Sequence, residues 1–172
     1  SAFALRLVLA ATLSPSYGVY SGYELYENEP ASPSNEEYLH SEKYEIKARD
    51  WSRPDTLAPF IARVNDIRRR HPALGVLRNL VFHDASNPAI LAYSRYTDDR
   101  SDVVLVVVNL DPWHTQEDVL GLDLGPLGLP WDRPYLAADE LSGQEFQWVG
   151  PNPYVRLDPW QEPAHILHLR AP

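Results

Sequence analysis

Six consecutive apolar residues, Val103 to Val108 (VVLVVV), set the strongest constraint on the fold of this chain. β-Branched side chains favour extended backbone, and apolar residues at every position, rather than every second one, require cover on both faces of a sheet. The run is therefore expected as a central strand. Around it, residues 80–83, 89–97, 118–124, 135–139, 145–149, 154–157 and 165–169 form short β-rich segments separated by Pro, Gly, Asn and Asp turns. Such spacing predicts an all-β antiparallel sandwich over residues 75–172.

Residues 1–74 have a different pattern. Phe3, Leu5, Leu7, Val8, Leu9 and Leu13 make nearly every side of a helix apolar, which predicts a helix over 1–13 buried on most faces. After the Ser14-Pro15-Ser16 break, residues 17–22 read as a short strand in which Gly18 and Gly22 admit another backbone or a ligand. A strand needs neighbours to pair with, and none lies next to it in the sequence. A long loop then passes Pro30 and Pro33 to about Asp50. Leu57, Phe60, Ile61, Val64 and Ile67 recur at helical spacing and predict a second helix over 55–71, capped by Ser52 or Asp55 and followed by Pro72. Arg68, Arg69 and Arg70 are expected as its solvated end, complementing the helix dipole.

Composition narrows the function classes. The chain holds 24 Asp and Glu against 15 Lys and Arg, a formal net charge of -9, which speaks against nucleic acid and anionic membrane as partners. A neutral glycan is indifferent to that charge. Without cysteine there is no disulfide and no thiolate metal site, in keeping with a cytoplasmic setting. The run FALRLVLAATL lacks the basic start of a signal peptide and is too short to span a bilayer. The absence of methionine suggests a segment that begins partway through a longer polypeptide.

The loop-rich stretch from Tyr17 to Trp51 carries the most chemistry. Tyr17, Tyr20, Tyr23 and Tyr26 alternate with small and acidic residues, and a charged and aromatic cluster surrounds Lys43 and Tyr44. Aromatic faces stack on the apolar side of a pyranose while phenol, ammonium and carboxylate groups bond the hydroxyls at its rim. A solvated connection with aromatic anchors has the same composition. The histidines show no metal-ligand spacing: His165 and His168, three apart in a strand, face opposite sides. Trp113, Trp131, Trp148 and Trp160 either pack against the sheet ends or form a surface platform for glucan.

The motifs LAATLSPSYGVYSGYELYEN, EEYLHSEKYEIKARDW and IARVNDIRRRHPAL resemble the C-terminal end of α-amylase-type glycoside hydrolases, and within that group the bacterial α-1,4-glucan:maltose-1-phosphate maltosyltransferase family. SRYTDD and VVLVVVNLDPW fit it in pattern. The resemblance implies an α+β fragment: over 1–74 the last βα unit of a (β/α)8 barrel with its substrate loop, over 75–172 the β-sandwich. It implies transfer of maltosyl units from maltose 1-phosphate to the non-reducing end of an α-1,4-glucan with retention, which needs two carboxyl groups close together. In the family these come from upstream segments, so no catalytic residue is assigned here and the chain alone is expected to be inactive. By resemblance the SEKYE motif makes Lys43 and Tyr44 contacts to the donor sugar. Glu24, just past the predicted strand, either orients a hydroxyl or a neighbouring cation or makes an ion pair, and wall packing is expected of Tyr20 and Tyr23. No cofactor and no metal are implied. The implied partners are the two sugar substrates, the remainder of the barrel and a second copy of the full protein in a homodimer. An α-glucan-binding module and a related hydrolase or transglycosidase remain the alternatives.

Overall fold

A computed structural model describes residues 1–35, 37–39 and 46–171. Its helices are α1 (Ala2–Leu13), α2 (Ala58–Arg70) and the short α3 (Leu124–Leu127). Its strands are β1 (Leu80–His83), β2 (Ile90–Tyr96), β3 (Val103–Asn109), β4 (Gln116–Val119), β5 (Pro134–Asp139), β6 (Glu145–Val149), β7 (Tyr154–Leu157) and β8 (Ala164–Arg170). Among the described residues, no helix is long and apolar enough to cross a membrane.

Six strands form one sheet in the order β1-β2-β3-β8-β5-β6, every pairing antiparallel, and β4 pairs with β7 in a second, two-stranded sheet. All seven residues of β3 are buried, as its unbroken apolar run requires. Val103, Leu105 and Val107 face a core made with Leu120, Leu122, α3 and the β4–β7 sheet. Val104, Val106 and Val108 face the opposite way, into a core made with α1 and α2. Each fully buried Val or Leu side chain contributes about 1.5–3 kcal/mol, so the two cores together fix β3 as the middle of a layered structure.

The sandwich expectation therefore holds for its antiparallel strands and needs correction in its layers. The second sheet is small, and helices cover the face that a second large sheet would occupy. The segment expected as a strand over 118–124 starts earlier, at Gln116, and ends at Val119. Beyond it, Leu120 and Leu122 turn into the core and Gly121 makes an isolated bridge to Asp84.

Residues 17–22, expected as a strand, form none. Residues 16–20 are irregular, and a turn at Gly22 leads into a 3-10 turn over Tyr23–Leu25. No sheet edge among the described residues runs beside the segment, so its backbone groups find no ladder. Side chains fasten it instead: the Tyr17 hydroxyl donates to Asn65 Oδ1 at 2.5 Å, and the Arg68 guanidinium stands 5.0 Å from the Tyr17 ring centre. The cap of α2 also differs. Leu57 is the N-cap and has no polar side-chain atom to offer, while the expected caps are engaged elsewhere, Asp55 by Arg53 and Ser52 by Asp50. The Leu57 N–H goes to the Glu24 carbonyl at 2.8 Å.

The principal correction concerns charge. α1 has no basic residue in its last turn, yet its C-terminal carbonyls carry the negative end of the helix dipole and need donors. Two arginines from elsewhere supply them. Arg68, expected in solvent, reaches the carbonyls of Ala11, Ser14 and Pro15. Arg95 on β2, 2% exposed, donates to the carbonyls of Thr12 (3.0 Å), Leu13 (2.9 Å) and Val76 and to Asn79 Oδ1 (2.5 Å). Beside it, the Tyr93 hydroxyl meets Thr12 Oγ1 at 2.6 Å. Arg69 and Arg70 do lie at the surface, pairing with Asp66.

Replacing Arg95 with Met keeps much of the volume but strands those buried acceptors. We expect Arg95→Met to lower stability by about 3–5 kcal/mol, because several buried neutral acceptors lose their donor at about 1–3 kcal/mol each, offset in part by the apolar packing of Met. Arg95→Lys should recover only part of it, since one ammonium cannot reproduce the fork. Chemical denaturation of the two variants beside the parent chain measures both effects.

Candidate substrate loop

Lys43 and Tyr44, the substrate-contacting residues expected from the sequence, lie outside the described residues. What surrounds them is described. The segment before them folds back as a small hairpin-like turn: Pro30 bridges Tyr38, the Leu39 N–H donates to the Glu29 carbonyl at 2.8 Å and the Ala31 N–H to the Glu37 carbonyl at 2.7 Å.

The two ends of the stretch are tied by Glu27, which the sequence reading did not single out. Its carboxylate takes two bonds from Arg49, 2.9 and 3.2 Å, and one from Lys47 at 3.0 Å. Arg49 also donates to the Ser21 hydroxyl and carbonyl, and its side chain is only 3% exposed. Residues 20 to 22 apart in sequence are thus held together at the base of the loop. Gly22 makes room for this: its φ is +98°, and a Cβ there would stand 2.3 Å from Glu27 Oε2. The bonds from Arg49 hold the Glu27 carboxyl below the usual carboxylate range, against a smaller opposing effect of burial, with Lys47 adding to the shift. The opposite charges of ELYENE and KAR at either end of the loop were the available signal.

Glu24, expected as an orienting group or an ion-pair partner, accepts the Gly22 N–H at 3.1 Å and makes no ion pair among the described residues. The ion pair forms three residues later, at Glu27, where Arg49 and Lys47 can reach. Tyr23 packs as expected, 4.9 Å from the Phe3 ring, with its hydroxyl on the Phe3 carbonyl. Burial raises its pKa, Arg6 opposing. Tyr20 departs from the expectation: it is 50% exposed and meets Tyr38 edge-on at 6.2 Å. Tyr26, Glu27, Glu29, Tyr38 and Lys47 line an open cavity of about 270 Å³. It offers phenols, carboxylates and an ammonium, the groups that bind sugar hydroxyls.

The tryptophans divide. Trp148 packs against the sheet core, stacked on Phe146 at 6.0 Å, as expected. Trp113, Trp131 and Trp160 do not pack and are 67%, 59% and 68% exposed. The rings of Trp113 and Trp160 lie 6.3 Å apart at 56°.

Comparison with solved structures gives the class. The chain superposes on an Anoxybacillus α-amylase with a TM-score of 0.64 at 16% identity, covering 99% of this chain and 32% of that one. For the maltogenic α-amylase AmyB of Thermotoga neapolitana the TM-score is 0.69 at 12% identity, with 99% and 37% covered. The fold is that of a portion of α-amylases. A family model described as "GLGE, C-terminal" matches residues 82–169, and the chain belongs to that family. Similar curated proteins include α-1,4-glucan:maltose-1-phosphate maltosyltransferase 2 of Streptomyces coelicolor, 54% identical over 99% of this chain, and the enzyme of that name from Mycolicibacterium smegmatis, 48% identical over 97%. The chain spans 26% and 24% of their respective lengths.

Glu27→Gln should weaken the base of the loop by about 1–3 kcal/mol, the scale of a charge-assisted bond lost beside a buried partner. Because folding lowers the Glu27 pKa, its contribution is present above the ordinary carboxylate range and is lost as the pH falls through the lower folded value. Melting curves of parent and variant should therefore differ at neutral pH and converge in acid.

Proposed function

We propose that this chain is the C-terminal part of a retaining maltosyltransferase that moves maltosyl units from maltose 1-phosphate to the non-reducing end of an α-1,4-glucan. The observation that carries the reading is 54% identity over 99% of the chain to a protein of that name, with the SEKYE motif set between the two ends that Glu27 ties together. In the whole protein, residues 1–74 contribute the end of the barrel with its substrate loop, residues 17–22 finding strand neighbours in the remainder of the barrel, and residues 75–172 are the β-rich domain. Lys43 and Tyr44 hold the donor sugar away from the bond being broken, so that the reacting atoms are positioned before chemistry begins. The catalytic carboxylates come from the remainder of the barrel. The full protein is a cytoplasmic homodimer, a setting that suits a charged, phosphorylated donor.

The assay is phosphate release from maltose 1-phosphate in the presence of a maltooligosaccharide. The 172-residue chain alone should release none, whereas the longer protein carrying it should be active. In that protein, Lys43→Ala and Tyr44→Phe should lower kcat/KM by roughly 10–100-fold, or about 1.4–2.8 kcal/mol of transition-state stabilisation. Release by the chain alone, or full activity of both variants, would contradict the reading.

A second reading, an α-glucan-binding surface on the β-rich part, is favoured by the exposed Trp113 and Trp160, whose mutual angle suits a curved chain of stacked sugars. Titration with maltoheptaose should quench tryptophan fluorescence saturably in the parent chain and not in Trp113→Ala or Trp160→Ala. An unchanged titration in both variants excludes the platform.

A further inference from the structure

Away from the loop, a cavity of about 180 Å³ opens between the edges of the two sheets. β6 ends the six-stranded sheet and β7 belongs to the small one, so each has a side with no strand partner among the described residues. Phe146 and Trp148, two residues apart on β6, point to the same face, and their rings lie 6.0 Å apart at only 19°. Both are half-buried against the sheet core and both line the cavity. Two nearly parallel rings offer a broad apolar surface, and Tyr154 of β7 lines the cavity from the other sheet.

The polar groups are set around these rings. His165 on β8 is 5% exposed, and its Nδ1 lies 3.0 Å from Asp139 Oδ2. The Asp139 carboxyl also accepts the Leu141, Ser142 and Ile166 N–H groups and the Ser142 hydroxyl, at 2.6 to 3.3 Å. A carboxyl facing so many donors is an acceptor, so His165 Nδ1 donates to it and the ring is fixed in place. Nε2 is the polar atom left to the cavity, and it makes no hydrogen bond among the described residues. Glu162 and Gln144, 3.5 Å apart, complete the polar side.

We propose that this cavity binds one pyranose ring of a neutral sugar, its apolar face on Trp148 and Phe146 and its hydroxyls on His165 Nε2, Glu162 and Gln144. A hydroxyl both donates and accepts, so it can satisfy an imidazole nitrogen, a carboxylate and an amide in turn. The volume is below the roughly 300–1,000 Å³ of sites for larger ligands, which selects a single ring over a run of them. Glu162 and the net charge of -9 disfavour an anionic sugar, and Arg156, the cation at the rim, is balanced by Glu117 at 4.0 Å. Trp113 and Trp160 do not line the cavity, and the inference is independent of the maltosyltransferase reading.

The test is saturation-transfer NMR of the full chain with methyl α-glucopyranoside, a probe of one ring. Saturable binding in the millimolar range is expected, the scale open to so small a ligand. Sorbitol, which carries the hydroxyls without a ring face, should not bind. Glu162→Ala at the rim and Trp148→Leu at the apolar face, both checked for folding by circular dichroism, should each weaken binding by roughly 3–10-fold. His114→Ala, at the exposed His114–Asp111 pair, should leave it unchanged. No saturable binding by the folded parent, equal binding of sorbitol, or undiminished binding by the folded Glu162→Ala chain would each overturn the proposal. Loss of the signal in Trp113→Ala, with Glu162→Ala unaffected, would place the ring on the other tryptophan pair and overturn it too.

Discussion

The C-terminal end of α1 organises the upper layer of this protein. Four carbonyls at a helix end cannot be paired within the helix, and burying them against a sheet demands donors from outside. Arg95 from β2 and Arg68 from α2 converge there, with Tyr93 on Thr12 beside them. Arg95 alone connects α1, the segment after α2 and the sheet. A buried guanidinium is a poor way to gain stability compared with apolar contact, but its fixed fork selects one arrangement of the elements around it. That selection sets how the helices lie on β3, and hence where the chain leaves α1 to begin the candidate loop.

The loop depends on this frame at its start and on charge at its base. Tyr17 and Tyr23 lean on α2 and α1, and the Leu57 N–H closes on the Glu24 carbonyl, so the stretch enters and leaves beside the two helices. Glu27 then draws Arg49 and Lys47 together. The stretch thus departs from and returns to a body built on two cores. Positioned loops of this kind are where binding residues concentrate.

How far the sequence could be read differs from residue to residue. Val103–Val108 declared itself a two-faced strand because periodicity is a local property, visible wherever every side chain is apolar. The boundaries of β1, β6 and β7 were equally legible from the turn residues that flank them. Residues 17–22 misled because strand composition describes only half of a strand; the other half is a neighbour with free hydrogen-bonding groups, and among the described residues none lies alongside. The segment after Val119 misled similarly, since Leu120 and Leu122 are apolar to fill the core under the sheet rather than to extend β4.

Local pattern by itself determined the two long helices, though not the short α3, most strands, the central place of β3 and, through the SEKYE and RRRHPAL motifs, the family. Only the tertiary structure decided the roles of the polar residues. Arg68 reads as a solvated helix end in sequence and is a cap for another helix in space. Asp139 and His165 show no spacing that relates them, yet carboxylate and imidazole meet at 3.0 Å. Glu27 looked no different from Glu24 until Arg49 was seen to reach it. The reason is physical: burial pattern repeats with the backbone period and is written along the chain, whereas a charge or a lone pair is satisfied by whichever partner the fold carries to it.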